Sequence, residues 1–242
     1  MSKETEPLPS PGQEPDGRHG PHVFVADLHD LTISHDDRHH FERVLRLRVG
    51  DELTACDGAG SWQACRFGPA LEPTGPIRFV PPPFPPIAIA FALVKGGRPE
   101  LVVQKLTELG VDEIIPFSAG RSVVQWDDDK ARRQGERFQR VAREASMQSR
   151  RCYLPVVLDP ETFASVAIRT GATLAERHGA LPTLSQSPLV VMVGPEGGWT
   201  DEERRAVPRQ FGFGSHVLRA ETASIAAATI LGAIRSGVVS NA

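Results

Sequence analysis

Leu189-Val190-Val191-Met192-Val193-Gly194-Pro195-Glu196-Gly197-Gly198 is the stretch that decides the fold. Five apolar residues in a row, bounded by turn residues, predict a strand buried on both faces, as a central strand of a parallel sheet must be. The glycine-rich turn follows at once, and Thr200 with Glu203 then has the spacing of a capping box, so the chain is expected to enter a helix that closes near Pro208. Strand, turn and helix in this order make the unit of an α/β sheet, and such sheets bind ligands in the loops beyond the carboxyl ends of their strands. As an isolated feature, the turn reads equally as a plain strand-to-helix connection.

The same alternation extends outward from this run. Ile87 to Val94 is a second continuous apolar stretch, and Glu100 to Leu109 carries Leu101, Val102, Leu106 and Leu109 at helical spacing, with Gly110 where a C-cap belongs. Val111 to Phe117 reads as a strand. Lys130 to Ser149 reads as a helix with Phe138, Val141, Ala142 and Ala145 facing inward and strongly basic outer faces. Ala172 to Ala175 and His216 to Leu218 are read as short strands, and Thr222 to Ser236 as an alanine-rich helix able to pack closely.

Upstream, Pro81 to Pro86 holds five prolines around Phe84, which can continue neither a ladder nor a helix, and marks a domain boundary. Residues 83–242 are expected to form the α/β domain and residues 21–82 a small, mainly β domain. In the latter, Val23 to Val25, Glu52 to Ala55 and Trp62 to Phe67 alternate with turns, and Asp57-Gly58 predicts a hairpin. Residues 1–20, rich in Pro, Glu, Gly and Ser, are expected to be a disordered tail.

The chain has 242 residues, 40% apolar and 24% charged, enough for two domains. No run reaches the roughly 18 apolar residues of a membrane span and no signal peptide is visible, so a cytoplasmic protein is expected. Cys56, Cys65 and Cys152 are spaced like neither a disulfide framework nor a zinc site, and His39-His40 lacks supporting ligands; no metal is expected. The formal net charge of -3 argues against nucleic acid, but the distribution argues for it. Basic residues gather at His35, Arg38, His39, His40, Arg43, Arg46 and Arg48 and again from Lys130 to Arg151.

A second loop has the same setting as the first. Leu218-Arg219-Ala220-Glu221-Thr222-Ala223 lies between an apolar triplet and the alanine-rich helix. Arg219 and Glu221 there either pair with each other or face a ligand.

Taken together, the turn at Gly194 to Gly198 and the stretch from Leu218 to Ala223 resemble the paired signature of SPOUT methyltransferases of the RsmE family. Further stretches are similar in the same order: Lys105 to Val111, then Glu144-Ala145-Ser146-Met147-Gln148-Ser149-Arg150-Arg151, and, upstream, His40 with Val44 to Asp51 and Asp57-Gly58. The resemblance implies a trefoil-knotted, mainly parallel C-terminal domain and a small PUA-like β-barrel that binds RNA. It implies S-adenosylmethionine as cofactor, held at Gly194, Glu196, Gly197, Leu218, Arg219, Glu221, Thr222 and Ala223, with a third loop near Leu174. RNA would be contacted by Arg38, His40, Arg43, Arg46 and Arg48 and by Arg140, Arg143, Gln148 and Arg150.

The implied activity is methylation of a uridine N3 in 16S ribosomal RNA of the small subunit, by a homodimer. That reaction needs loss of the N3 proton and stabilisation of charge on the uracil oxygens. Arg219 or an arginine of the basic helix suits the second task, and Glu196 or Glu221 the first. Two alternatives remain open: transfer to a different base or ribose, and a non-catalytic RNA-binding protein of ribosome assembly.

Overall fold

The structure is a computed structural model that describes residues 14–94, 98–122, 124, 126–185 and 187–240. The expected tail lies outside the described residues as far as residue 13; residues 14–20 are irregular, with Pro15 buried. Two compact units are present. One holds the residues up to Pro82 together with Ser146–Leu154, and the other holds Pro83–Ala145 and the chain from Pro155 onward.

The first unit is built on a five-stranded mixed sheet. β1 (His22–Phe24) runs parallel to β2 (Glu52–Cys56), which forms the expected Asp57-Gly58 hairpin with β3 (Ser61–Arg66). β4 (Glu72–Pro73) and β5 (Arg78–Phe79) both add antiparallel to β3. Helix α1 (His35–Arg43) starts at Ser34, whose hydroxyl accepts from the Asp37 amide, and buries Phe41 against Leu53, Cys65 and Phe67. A second small core of Phe24, Cys56, Trp62 and Val80 is completed by Cys152.

Ser146–Leu154 is stitched into this unit through its backbone. Gly60 N donates to Cys152 O (2.9 Å) and Leu154 N to Gly58 O (3.1 Å), while the Tyr153 hydroxyl donates to Val80 O (2.7 Å). Gly60 has φ +105°, and a Cβ on it would stand 2.3 Å from the Tyr153 oxygen, so the hairpin tolerates only glycine there. All three cysteines are free and buried. Hydrogen bonding with Cys152 and His22 draws the Cys56 thiol down to about 6, and the same contact with Cys56 pushes Cys152 up.

The second unit holds a seven-stranded parallel sheet. Its elements, in chain order, are β6 (Ile87–Ala92), α2 (Pro99–Glu108), β7 (Glu113–Ser118), α3 (Asp128–Ser149, belonging to the first unit from Ser146), β8 (Val156–Val157), β9 (Glu161–Thr162), α4 (Phe163–Ala167), β10 (Ala172–Ala180), β11 (Leu189–Val193), α5 (Asp201–Ala206), β12 (Gln210–Phe211) and α6 (Ala220–Arg235). The strand order is β12-β10-β11-β6-β7-β8, with β9 also on β7. From the β10 position the chain moves inward to β11, out to the edge at β12, and back to pack on β11 and β6 as α6. Both faces of β6 are buried: Ile87, Ile89 and Phe91 pack with Val102, Leu106, Phe138 and Leu231, and Ala88, Ala90 and Ala92 with Ile115, Leu174, Met192 and Trp199. Each large side chain so buried contributes roughly 1.5–3 kcal/mol.

Two strand expectations change. His216 to Leu218 is not a strand; Val217 is 83% exposed, and the edge position is taken by Gln210–Phe211, which lies earlier in the chain. A short stretch without a neighbouring ladder gains nothing from extension. β10 is longer than its apolar start and runs to Ala180, with a register break opposite β12 between Ala175 and Ala180. Gly179 permits that edge, since a Cβ there would lie 2.5 Å from the Phe211 backbone.

Arg235, at the end of α6, ties the last helix to the residues that precede β7. Its guanidinium donates to the Asp112 carboxylate and to Gly110 O, and Asp112 in turn accepts from Ile87 N at 2.8 Å. The Arg235 side chain is only 11% exposed. Arg235→Ala is expected to cost on the order of 3 kcal/mol, because it removes the cationic partner of a shielded carboxylate and a donor to the Gly110 carbonyl. Urea unfolding checks this, and an unmoved midpoint would refute the anchoring role.

Candidate active site

Register places the carboxyl ends of β11, β6 and β7 level, while β10 passes that level at Leu174 and runs on to Ala180. Leu174 on β10 lies opposite Met192 on β11, Val193 opposite Phe91 on β6, and Phe91 opposite Pro116 on β7. The loops that leave these ends therefore share one rim of the sheet.

The turn after β11 is packed on one side and open on the other. Gly198 N donates to Pro195 O (2.8 Å), Pro195 is buried, and Glu196 and Gly197 are exposed. Behind the turn, Trp199 is 1% exposed, stacks on Phe117 at 6.2 Å and 12°, and donates Nε1 to Ala175 O (3.1 Å). A Cβ on Gly194 would press to 3.0 Å on the indole, whereas one on Gly198 would meet nothing within 4 Å. The predicted capping box is present, with Thr200 and Glu203 bonded reciprocally at the start of α5.

The second loop delivers the amino end of α6 to the same rim. Arg219 is the N-cap residue, exposed and without a side-chain cap bond. The first amides of α6 lack partners inside the helix and its dipole favours an anion there. Glu221, in that first turn, is half-buried and lines a cleft walled by Phe91, Leu93, Val94, Pro99 and Val102. Arg98 is the other charged residue of the cleft. Among the described residues Arg219 and Glu221 form no ion pair, so the alternative of a mutual salt bridge does not hold. Leu218 is half-buried, Thr222 exposed, and Ala223 packs partly into the core beside Val193 and Phe91.

Leu174 is level with Met192, one residue short of the end of β11, but its side chain is not exposed at the rim. It is fully buried with Val190, Met192 and Trp199 on the inner face of β10, which runs on past it to Ala180. The cleft's Arg98 was not anticipated from sequence. Its signal was another strand-to-helix passage, Ile87 to Val94 followed by Pro99 at the first turn of α2.

The residues present fit the nucleoside-bearing sulfonium donor that the resemblance implies. Open space above Gly198, main-chain groups of a glycine turn, unpaired amides of a helix start and an apolar cleft with few charges are what such a ligand requires. No cluster of metal-ligating side chains occurs among the described residues.

Of the expected RNA contacts, His40, Arg43, Arg46 and Arg48 are exposed along the end of α1 and the following turn, where Arg46 has φ +57°. Val44, Leu45 and Val49 among them are exposed rather than packed, at 63%, 45% and 78%. Arg38 is engaged within its own unit, donating to Gly68 O and Pro69 O and lying over the Phe67 ring. On α3, Arg140 and Gln148 are exposed and Arg143 is half-buried. Arg150, just beyond it, has φ +59° and one buried guanidinium nitrogen without a hydrogen bond. No helix among the described residues is long and apolar enough to cross a membrane.

Comparison with known proteins places these features. An RNA methyltransferase domain matches residues 81–232, and an RNA methyltransferase PUA domain matches residues 33–66. Ribosomal RNA small subunit methyltransferase E of Bacillus subtilis is 31% identical over 83% of this chain and 89% of its own length; that of Synechocystis is 33% identical over 84% and 73%. In structure, a probable rRNA methyltransferase from Porphyromonas gingivalis aligns with a TM-score of 0.76 at 24% identity, covering 90% of this chain and all of the other. A ribosomal RNA small subunit methyltransferase E from Neisseria gonorrhoeae, bound to S-adenosyl methionine, aligns at 0.74 and 24%, covering 90% and 98%. The chain belongs to the ribosomal RNA small subunit methyltransferase E family.

Proposed function

We propose that this protein methylates N3 of a uridine in 16S ribosomal RNA, with S-adenosylmethionine as donor, acting in the cytoplasm as a homodimer on the small ribosomal subunit or its RNA. The observation that carries the reading is the convergence, in a chain of this family, of the Gly194 turn, the start of α6 and the Arg98–Glu221 cleft on one rim of a parallel sheet.

When bound, the cofactor supplies an already activated sulfonium methyl. The turn at Gly194, Glu196 and Gly197 and the segment from Leu218 to Ala223 hold and orient it, largely through main-chain groups. Glu221 accepts the N3 proton or fixes the base, with Glu196 as the other carboxylate within the same loops. Arg98 or Arg219 stabilises charge that moves onto the uracil oxygens. Because N3 of a paired uridine is engaged, the base must be unpaired or flipped out before it reaches the cleft. The exposed arginines after α1 and those of α3 grip phosphates and set the register of the RNA.

The test is to incubate the protein with methyl-labelled donor and small subunits that lack the modification, then map the labelled nucleotide. Label on a single uridine N3 is expected. Label on another base or a ribose would replace the target, and absence of donor binding by calorimetry would replace the enzyme with an RNA-binding protein. Sedimentation should give twice the chain mass, and a monomer at working concentration would remove the dimer.

A further inference from the structure

We infer that Arg121, on the loop after β7, is a positioning residue that fixes the direction of one peptide in the glycine turn and thereby sets cofactor affinity. The inference rests on the reading that this turn holds the cofactor.

The peptide between Gly197 and Gly198 is pinned at both ends. Its N–H donates to Pro195 O at 2.8 Å, and its carbonyl accepts from Arg121 Nη1 at 2.7 Å. Glycine on both sides removes the steric barrier that normally keeps a peptide plane in one orientation, and Gly198 already stands at φ +66°. A flip would exchange donor for acceptor where the turn faces its ligand. The internal bond to Pro195 is short-range and neutral, so by itself it is a weak guard against that flip. Arg121 adds a charged donor from outside the turn.

The donor is itself held in place. Gly120 N, one residue earlier, donates to the buried Glu203 carboxylate at 2.8 Å, and the same carboxylate accepts from Thr200 N at 2.8 Å. Ser122 Oγ accepts from Ala119 N at 3.0 Å, which closes the loop on the other side. The aliphatic stem of Arg121 lies against Gly197, where a Cβ would come within 3.3 Å. Thus the β7 loop is latched to the start of α5 at one point and to the glycine turn at the next. The Arg121 guanidinium makes no other hydrogen bond among the described residues, its charge acts only at a distance on the exposed Glu202 carboxylate, and the side chain is exposed, so fold stability does not require it.

Three substitutions test this in the full-length protein. Arg121→Met keeps the stem and removes the donors; it is expected to weaken S-adenosylmethionine binding about 10- to 100-fold by calorimetry, the range for a lost charge-assisted hydrogen bond. Arg121→Lys should recover much of that affinity, since an ammonium can still reach a carbonyl. In steady state the loss should fall on KM for the cofactor and not on KM for RNA, with the melting temperature unmoved. Wild-type affinity in Arg121→Met, or a defect confined to KM for RNA, overturns the inference. Failure of the wild-type protein to bind the cofactor at all would instead overturn the reading on which it rests.

Discussion

Glu221→Gln is expected to lower methyl transfer by about 10²- to 10⁴-fold, the usual worth of a positioned proton acceptor. The substitution keeps the shape of the side chain and removes its charge from the first turn of α6, where the helix dipole contributes roughly 0.3–1 kcal/mol. The melting temperature should therefore fall by no more than about 2–4 °C. Transfer of labelled methyl to RNA and a thermal scan, run on the same preparation, separate the two effects. Glu196→Gln is the natural comparison, because Glu196 is exposed on the facing turn and Glu221 is half-buried in the cleft. Retention of wild-type turnover in Glu221→Gln, or a loss of activity matched by an equal loss of stability, removes Glu221 from the chemistry.

Trp199→Ala should have the largest effect on the fold near the site. The indole is almost wholly buried, stacks on Phe117, touches Phe163 and bonds to Ala175 O. Its removal is expected to cost about 3–5 kcal/mol, a large part of the roughly 5–15 kcal/mol of a typical domain. The cavity would open directly beneath Gly194, whose backbone now rests on the ring. Trp199→Phe should retain the fold at a cost of about 1–3 kcal/mol for the orphaned Ala175 carbonyl, with weakened cofactor binding. Denaturant midpoints with cofactor titration measure both, and an unmoved midpoint in Trp199→Ala would show that the turn does not lean on the indole.

What could be read in the sequence follows from how each element is stabilised. β6 and β11 are buried on both faces, so their residues are apolar without interruption and the pattern is local. Helix α5 announces itself through Thr200 and Glu203, whose reciprocal bonds are local too. β12 has two residues and exists only because β10 lies beside it, so no periodicity marks it, whereas Val217 invited a strand that has no partner. The site divides in the same way. Glycine spacing reveals the turn at Gly194, but Arg98 and Arg121 reach the rim only through the parallel register of β6, β7 and β11, which sequence spacing does not encode. Leu174 enters the site only through the resemblance, as the end of the strand before a third loop, and its own side chain is fully buried in β10.

The stitching of Cys152, Tyr153 and Leu154 onto Gly58, Gly60 and Val80 has a consequence for synthesis on the ribosome. The amino-terminal sheet emerges first, yet the strip that seals its second small core is translated some seventy residues after Pro82. That core stays unsealed until Pro83–Ala145 has been made, so closure of the amino-terminal unit must wait for a strip encoded inside its younger neighbour, and the two units cannot be truncated as separable beads.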